Sequence, residues 1–307
     1  MVNSTQSNVN MTVQAFRMSA ILRITMNVSM ILILVVFIYF MVIILNVFFT
    51  SPHVRETMRY ILFIHMLLTD GAYLFISILL FILGTNAIPM PIPVCFVIIS
   101  FSTCVCNVTP YNLAVMSLEC YIAICHPLRH VELCNAQRSS MAMANMWIVG
   151  MIPQLVNFVA YYISVDKKLF LLNAICDWRT LIANEFQITF RLLSNVLGFT
   201  VVGIIVAYTY VQVSLVAHRM DSEKFASKAG KTVLLHIFQL LFSMLFFTST
   251  FTETYLQTIF PYITLINFIL FMCLPRLVSP LIYGMRDEVF GKPMRRFCSL
   301  SRNSTLN

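Results

Sequence analysis

An all-α membrane protein, built as a bundle of seven transmembrane helices, is the fold class this sequence predicts. Two observations carry that reading. The first is composition: 59% of the 307 residues are hydrophobic and 10% are charged, where an ordinary soluble domain has about a quarter charged. The second is length: seven stretches each hold the roughly 20 apolar residues that a helix needs to cross a bilayer. So few charges cannot cover so much apolar surface in water, which excludes a soluble enzyme. Long apolar runs exclude disorder, and eight glycines exclude a collagen-like chain.

The spans fall at 26–49, 58–83, 95–122, 140–163, 190–217, 232–254 and 262–284. The first carries an uninterrupted apolar run from Met30 to Phe40, and the polar stretch before it lacks the early apolar core of a cleavable signal, so it is expected to act as an uncleaved anchor. The second contains Asp70, the third Pro110 and the fourth Pro153. The seventh holds Arg276 and Pro280. Proline inside a helix removes a backbone hydrogen bond and marks a bending point. The connections are mostly under 20 residues, leaving no room for a separate soluble domain. Beyond the last span, Phe290, Met294 and Phe297 share one helical face beside Lys292, Arg295 and Arg296, the pattern of a short interfacial helix, and Cys298 behind it is a palmitoylation candidate.

Basic residues orient the bundle. Thirteen Lys and Arg lie on the connections of one side and six on the other, which places the N-terminus outside and the C-terminus in the cytoplasm. Asn3-Ser-Thr5 and Asn10-Met-Thr12 are glycosylation sequons on the outer tail. The chain therefore divides into an extracellular glycosylated tail (1–25), a seven-span domain (26–284) and a cytoplasmic segment (285–307), in a multi-pass plasma-membrane protein.

Ionisable groups at membrane depth are costly and point to function. Three stand out, Asp70, Glu119 and Arg276, and no role for Arg276 follows from the sequence. If the first, third and seventh helices surround the second, Asn46, Thr109 and Ser279 face Asp70. Such a hard-oxygen cluster is a candidate site for a monovalent cation, sodium, and no other cofactor or metal is expected. Cys104, Cys106, Cys120 and Cys273 lie in apolar runs and read most simply as small buried hydrophobes.

Several motifs match a known family. Leu113-Ala-Val-Met-Ser-Leu-Glu-Cys-Tyr-Ile-Ala-Ile-Cys-His-Pro-Leu-Arg-His130 resembles the end of the third helix and second inner loop of odorant receptors. Lys228-Ala-Gly-Lys-Thr-Val-Leu-Leu-His236 looks like the start of their sixth helix, and Ser279-Pro-Leu-Ile-Tyr283 like the end of their seventh. The stretch from Pro52 to Asp70 completes the set. The wording is nearest to teleost odorant receptors of the 131-like subfamily, which carry a Glu-Cys-Tyr triplet. The resemblance implies a rhodopsin-like G-protein-coupled receptor that binds a small-molecule odorant in the outer half of the bundle and activates a heterotrimeric G protein at the inner face.

The same resemblance implies residue roles. Cys95 and Cys176 would form the outer disulfide. Glu119, Cys120, Tyr121, Arg129, Tyr210, Lys228, Lys231, His236, Pro280 and Tyr283 would make the switch and the G-protein contact, with Asn46, Asp70, Trp147 and Pro153 as framework. The triplet Glu119-Cys120-Tyr121 lacks the arginine usual at its centre, so Glu119 needs another partner; a basic side chain of the third inner loop is the expected one. Helical spacing from Cys95 puts Ser102, Thr103, Cys106 and Asn107 toward a pocket, faced by Asn195, Phe199, Phe247, Thr248, Phe251 and Asn267. No acid stands among the third-helix candidates, which favours a neutral or weakly polar ligand over a protonated amine.

Two other classes fit less well, and one rival of the same fold stays open. A transporter would show repeated halves and matched helix breaks, and neither is visible. A membrane enzyme would need a clustered His metal set or a Ser/His/Asp set. A non-olfactory chemosensory receptor of the same fold stays open, because the motifs describe the switch better than the ligand. Nucleic acid is not an expected partner; membrane lipid is.

Overall fold

The computed structural model describes residues 20–165, 172–219, 241, 266–278 and 290. Five helices in it are long and apolar enough to cross a membrane: α1 (Ala20–Thr50), α2 (Met58–Thr85), α3 (Ile92–Cys125), α4 (Ala136–Ser164) and α5 (Glu185–Arg219). The predicted sixth span lies outside the described residues, and the seventh is seen as a helix over 266–278.

The helices overrun the apolar windows that predicted them. Helix α1 starts at Ala20, inside what the sequence reading assigned to the outer tail, and α5 starts at Glu185 rather than at 190. Hydropathy falls off at the interface, but backbone hydrogen bonding carries on until a residue stops it. The stops can be identified. Asn135 caps α4, its side chain accepting from the Arg138 N–H at 2.9 Å. Prolines set the starts of the short helices Pro52–Glu56 and Pro127–Leu133, on the connections between α1 and α2 and between α3 and α4. After α2, Ala87 takes φ 52°, and the Ile88 N–H closes on the Leu83 carbonyl at 3.0 Å.

Helix α3 is the hub, packed against α2, α4 and α5. The main core joins Met30, Phe37 and Ile44 of α1, Leu62 and Leu74 of α2, and Leu113 of α3, all buried. Outer faces are also apolar: Ile148, Ile152, Leu155 and Val159 form an exposed stripe at helical spacing along α4. A helix apolar on both faces belongs in lipid, not water.

Polar groups inside the bundle are tied across helices. The buried Asn112 of α3 donates to the Leu62 carbonyl of α2 at 2.9 Å, and Trp147 Nε1 of α4 donates to His65 Nε2 of α2 at 3.0 Å. Helices α3 and α4 meet at Gly150, where an added Cβ would lie 3.3 Å from a Val108 methyl and 3.4 Å from Cys104 Sγ. Gly150→Ala needs a shift of only a few tenths of an ångström and should be near neutral. Gly150→Leu should cost about 1–3 kcal/mol through overpacking, visible as a lower thermal midpoint of the purified chain in detergent.

At one end of the bundle, strands β1 (Pro89–Pro91) and β2 (Asn173–Ile175) pair antiparallel, Met90 opposite Ala174. The next residue, Cys176, is disulfide-bonded to Cys95 near the start of α3. The 266–278 helix contains a wide π-helical turn over Phe268–Cys273, a feature concentrated at functional sites.

Candidate functional site

Three groups of side chains carry the chemistry, and α3 contributes to each. The deepest surrounds Asp70, which is buried in α2. Thr109 of α3 donates its hydroxyl to Asp70 Oδ1 at 3.2 Å. Arg276 brings Nε to 3.6 Å from the same oxygen. Its Nη1 donates to the Met272 carbonyl one turn back at 3.1 Å, and Nη2 reaches Cys106 Sγ at 3.6 Å. The guanidinium lies 3.8 Å over the Tyr73 ring, a cation–π contact in a desolvated setting. Arg276, which had no role in the sequence reading, is thus the ionic partner of Asp70.

This arrangement brings together only part of the cation cluster expected from sequence. Thr109 is on Asp70 as predicted. Asn46 is exposed on α1 and does not reach the cluster; its carbonyl accepts from Thr50 Oγ1 at 2.7 Å. Ser279 lies outside the described residues.

The second group is a crevice between α3, α4 and α5. It is lined by Asn107, Pro110 and Tyr111 of α3, Pro153 of α4, and Ser194, Asn195, Gly198 and Phe199 of α5, with a cavity volume of about 10 Å³. Among the described residues that is room for about one water molecule, so a ligand would have to widen it. Gly198 is required by close approach: an added Cβ would stand 2.8 Å from the Tyr111 hydroxyl. Of the sequence-predicted pocket residues, Asn107, Asn195 and Phe199 meet here. Cys106 does not; it faces Arg276, because neighbouring residues on a helix point about 100° apart. Ser102 is buried, and Thr103 donates to the Ile99 carbonyl of its own helix at 2.8 Å, the local bonding common for hydroxyls on helices. Asn267 is buried on the 266–278 helix. Phe247, Thr248 and Phe251 lie outside the described residues. Tyr111 and Gly198 were not anticipated, although Tyr111 follows Asn107 by one helical turn.

The third group is at the opposite end from the disulfide. Glu119 is buried and pairs with His130 Nε2 at 3.0 Å. Among the described residues the partner of Glu119 is His130, on the connection between α3 and α4: the α3 helix ends at Cys125, and the Pro127–Leu133 helix folds back and returns His130 beneath Glu119. The connection after α5, where a basic partner was expected, lies outside the described residues. Tyr121 bonds His126 Nε2 at 3.2 Å, and its ring meets Tyr208 of α5 at 6.0 Å. The sequence reading gave the α5 switch position to Tyr210; two residues along a helix turn it about 200°, and it is 39% exposed. Cys120 is half-buried and Arg129 exposed. Nearby, burial raises the Cys134 thiol above its usual pKa, with the Glu119 charge adding to the effect and the Arg138 charge opposing it. Lys228, Lys231, His236, Pro280, Tyr283, the sequon residues Asn3 and Asn10, and Cys298 lie outside the described residues.

Comparison with known proteins agrees with these features. Residues 41–283 match the model of the family described as 7 transmembrane receptor (rhodopsin family). Among curated relatives, Odorant receptor 131-2 of Danio rerio is 26% identical over 254 residues, 80% of this chain and 78% of that protein. Olfactory receptor 2M5 of Homo sapiens is 26% identical over 61% of each chain. Olfactory receptor 52A1 of Homo sapiens is 25% identical over 61% of this chain and 63% of that protein. The match thus spans about three fifths of the two human proteins.

Proposed function

The chain belongs to the rhodopsin family of seven-transmembrane receptors, and from that premise we propose that it is a chemosensory receptor of the odorant type. It is a multi-pass plasma-membrane protein and not an enzyme. In this reading a small neutral or weakly polar molecule binds in the outer half of a seven-span bundle, and the inner face then activates a heterotrimeric G protein. The disulfide end is the outer one, since disulfides persist on the oxidising side; the end with the basic connections is cytoplasmic. The same reading keeps the glycosylated tail at Asn3 and Asn10 and the interfacial segment bearing Cys298.

The observation that carries the ligand class is the crevice. The amides of Asn107 and Asn195 and the hydroxyls of Tyr111 and Ser194 are set among Pro110, Pro153 and Phe199, and no acid or base stands among the described lining residues. Such walls reward apolar area with a few directional hydrogen bonds and offer nothing to a charged molecule. The Glu119–His130 pair serves as the resting clasp in place of the arginine missing at Cys120. A net hydrogen bond of this kind contributes about 0.5–1.5 kcal/mol, and each 1.4 kcal/mol shifts a two-state balance tenfold.

The test is a panel of odorants and metabolites on the surface-expressed chain, read as cAMP and G-protein nucleotide exchange. Responses that fall with Asn107→Leu or Gly198→Leu support the crevice as the ligand site. A panel that never evokes exchange counts against the reading. Without ligand, His130→Ala and Glu119→Leu should each raise basal exchange roughly five- to tenfold if the pair contributes 1–1.4 kcal/mol to the resting state.

A further inference from the structure

We propose that Arg276 is a built-in cation: its guanidinium takes the place beside Asp70 that the sequence would assign to a sodium ion. The residues present do not fit a mobile ion. The single carboxylate charge is already matched by the guanidinium, whose Nε lies 3.6 Å from Asp70 Oδ1, and a second positive charge on that oxygen would sit against the first at short range in a buried site. The oxygen ligands needed by a hard cation are also reduced. Thr109 points its hydroxyl proton at Asp70, Asn46 faces out of the bundle, and the remaining neighbours described are the Cys106 sulfur and the Tyr73 ring face. A thiol and a π face suit a broad, weakly hydrated guanidinium rather than a small hydrated ion.

The arrangement is held from three helices. Asp70 and Tyr73 belong to α2, Cys106 and Thr109 to α3, and Arg276 to the 266–278 helix, where its own Met272 carbonyl anchors Nη1 at 3.1 Å. A mobile ion enters and leaves with salt concentration. A tethered one cannot leave, so the cluster is insulated from extracellular sodium and answers only to movement of the helices that carry it. Cys106 is one residue from Asn107 of the crevice, so a shift of α3 on ligand binding reaches the guanidinium through Cys106.

The test needs neither ligand nor G protein, so its outcome is separate from the signalling assignment. The full chain is purified in detergent, and its thermal midpoint is compared in sodium chloride and in N-methylglucamine chloride at equal ionic strength. The wild type is expected to melt at the same temperature in both. Arg276→Gln should melt lower and gain a sodium-specific rise, and Asp70→Asn/Arg276→Gln should lose that rise. A sodium-specific rise in the wild type overturns the proposal, as does an Arg276→Gln variant that folds yet ignores sodium. If Arg276→Gln yields no folded protein, the wild type and Arg276→Lys decide. Both indifferent to sodium supports the tethered cation, and sodium sensitivity in either overturns it.

Discussion

Asp70→Leu, with Arg276 left in place, is expected to destabilise the chain by about 3–5 kcal/mol, the cost of leaving a buried charge without its counter-charge. Arg276 is 8% exposed, and its other contacts are a backbone carbonyl, a thiol and a ring face, none of which supplies negative charge. The reciprocal Arg276→Met leaves a carboxylate that can take up a proton and keeps the Thr109 hydroxyl near it, so it should cost less. The double variant Asp70→Leu/Arg276→Met should recover much of the loss, since apolar side chains of similar volume often replace buried ion pairs with little penalty. Thermal midpoints of the four proteins in one detergent form a double-mutant cycle. Additive losses would show that the two side chains are not energetically coupled.

Cys176→Ser should give the second large effect. The Cys95–Cys176 bridge closes a loop with a sequence separation of 81 residues, and removing a disulfide from a loop of that size costs about 2–5 kcal/mol. Two spans inside the loop are already held by lipid, which limits the freedom the opened chain regains and places the expected value toward the lower end. The loss is also local. The bridge holds β2 against β1 at its own end of the bundle, so surface expression and ligand response should suffer more than the Glu119–His130 end. Reduction of the wild type should reproduce the midpoint of the variant, and a midpoint indifferent to both treatments would contradict the role.

Five of the expected spans are seen as long apolar helices, and they were legible because lipid makes a demand that sequence displays directly: every residue of a spanning helix must be tolerable in hydrocarbon or satisfied inside the bundle. Helix ends were less legible, since Asn135 and Pro127 act through backbone geometry rather than hydropathy. The site was readable as a set of rare residues but not as a set of pairs. Asp70 and Arg276 each stand out in an apolar run, yet nothing in a linear string says that residues so far apart share one oxygen. His130 was present in the motif that flagged Glu119. Its role depends on the chain reversing after Cys125, a turn that pattern reading does not supply. The contact of Tyr121 with Tyr208 shows the same limit at smaller scale: which tyrosine of α5 meets it depends on rotational phase, which a linear string does not display.

The π-helical turn at Phe268–Cys273 gives the last of these helices a reserve of winding. A segment coiled one residue too wide can be tightened to ordinary pitch by exchanging its i→i+5 backbone hydrogen bonds for i→i+4 ones, and everything beyond it then rotates by about 100°. Arg276 stands three residues past that segment. Rewinding would carry its guanidinium off the Asp70 oxygen like a key turned in a lock, by a torsional movement that requires neither a hinge nor a change in helix tilt.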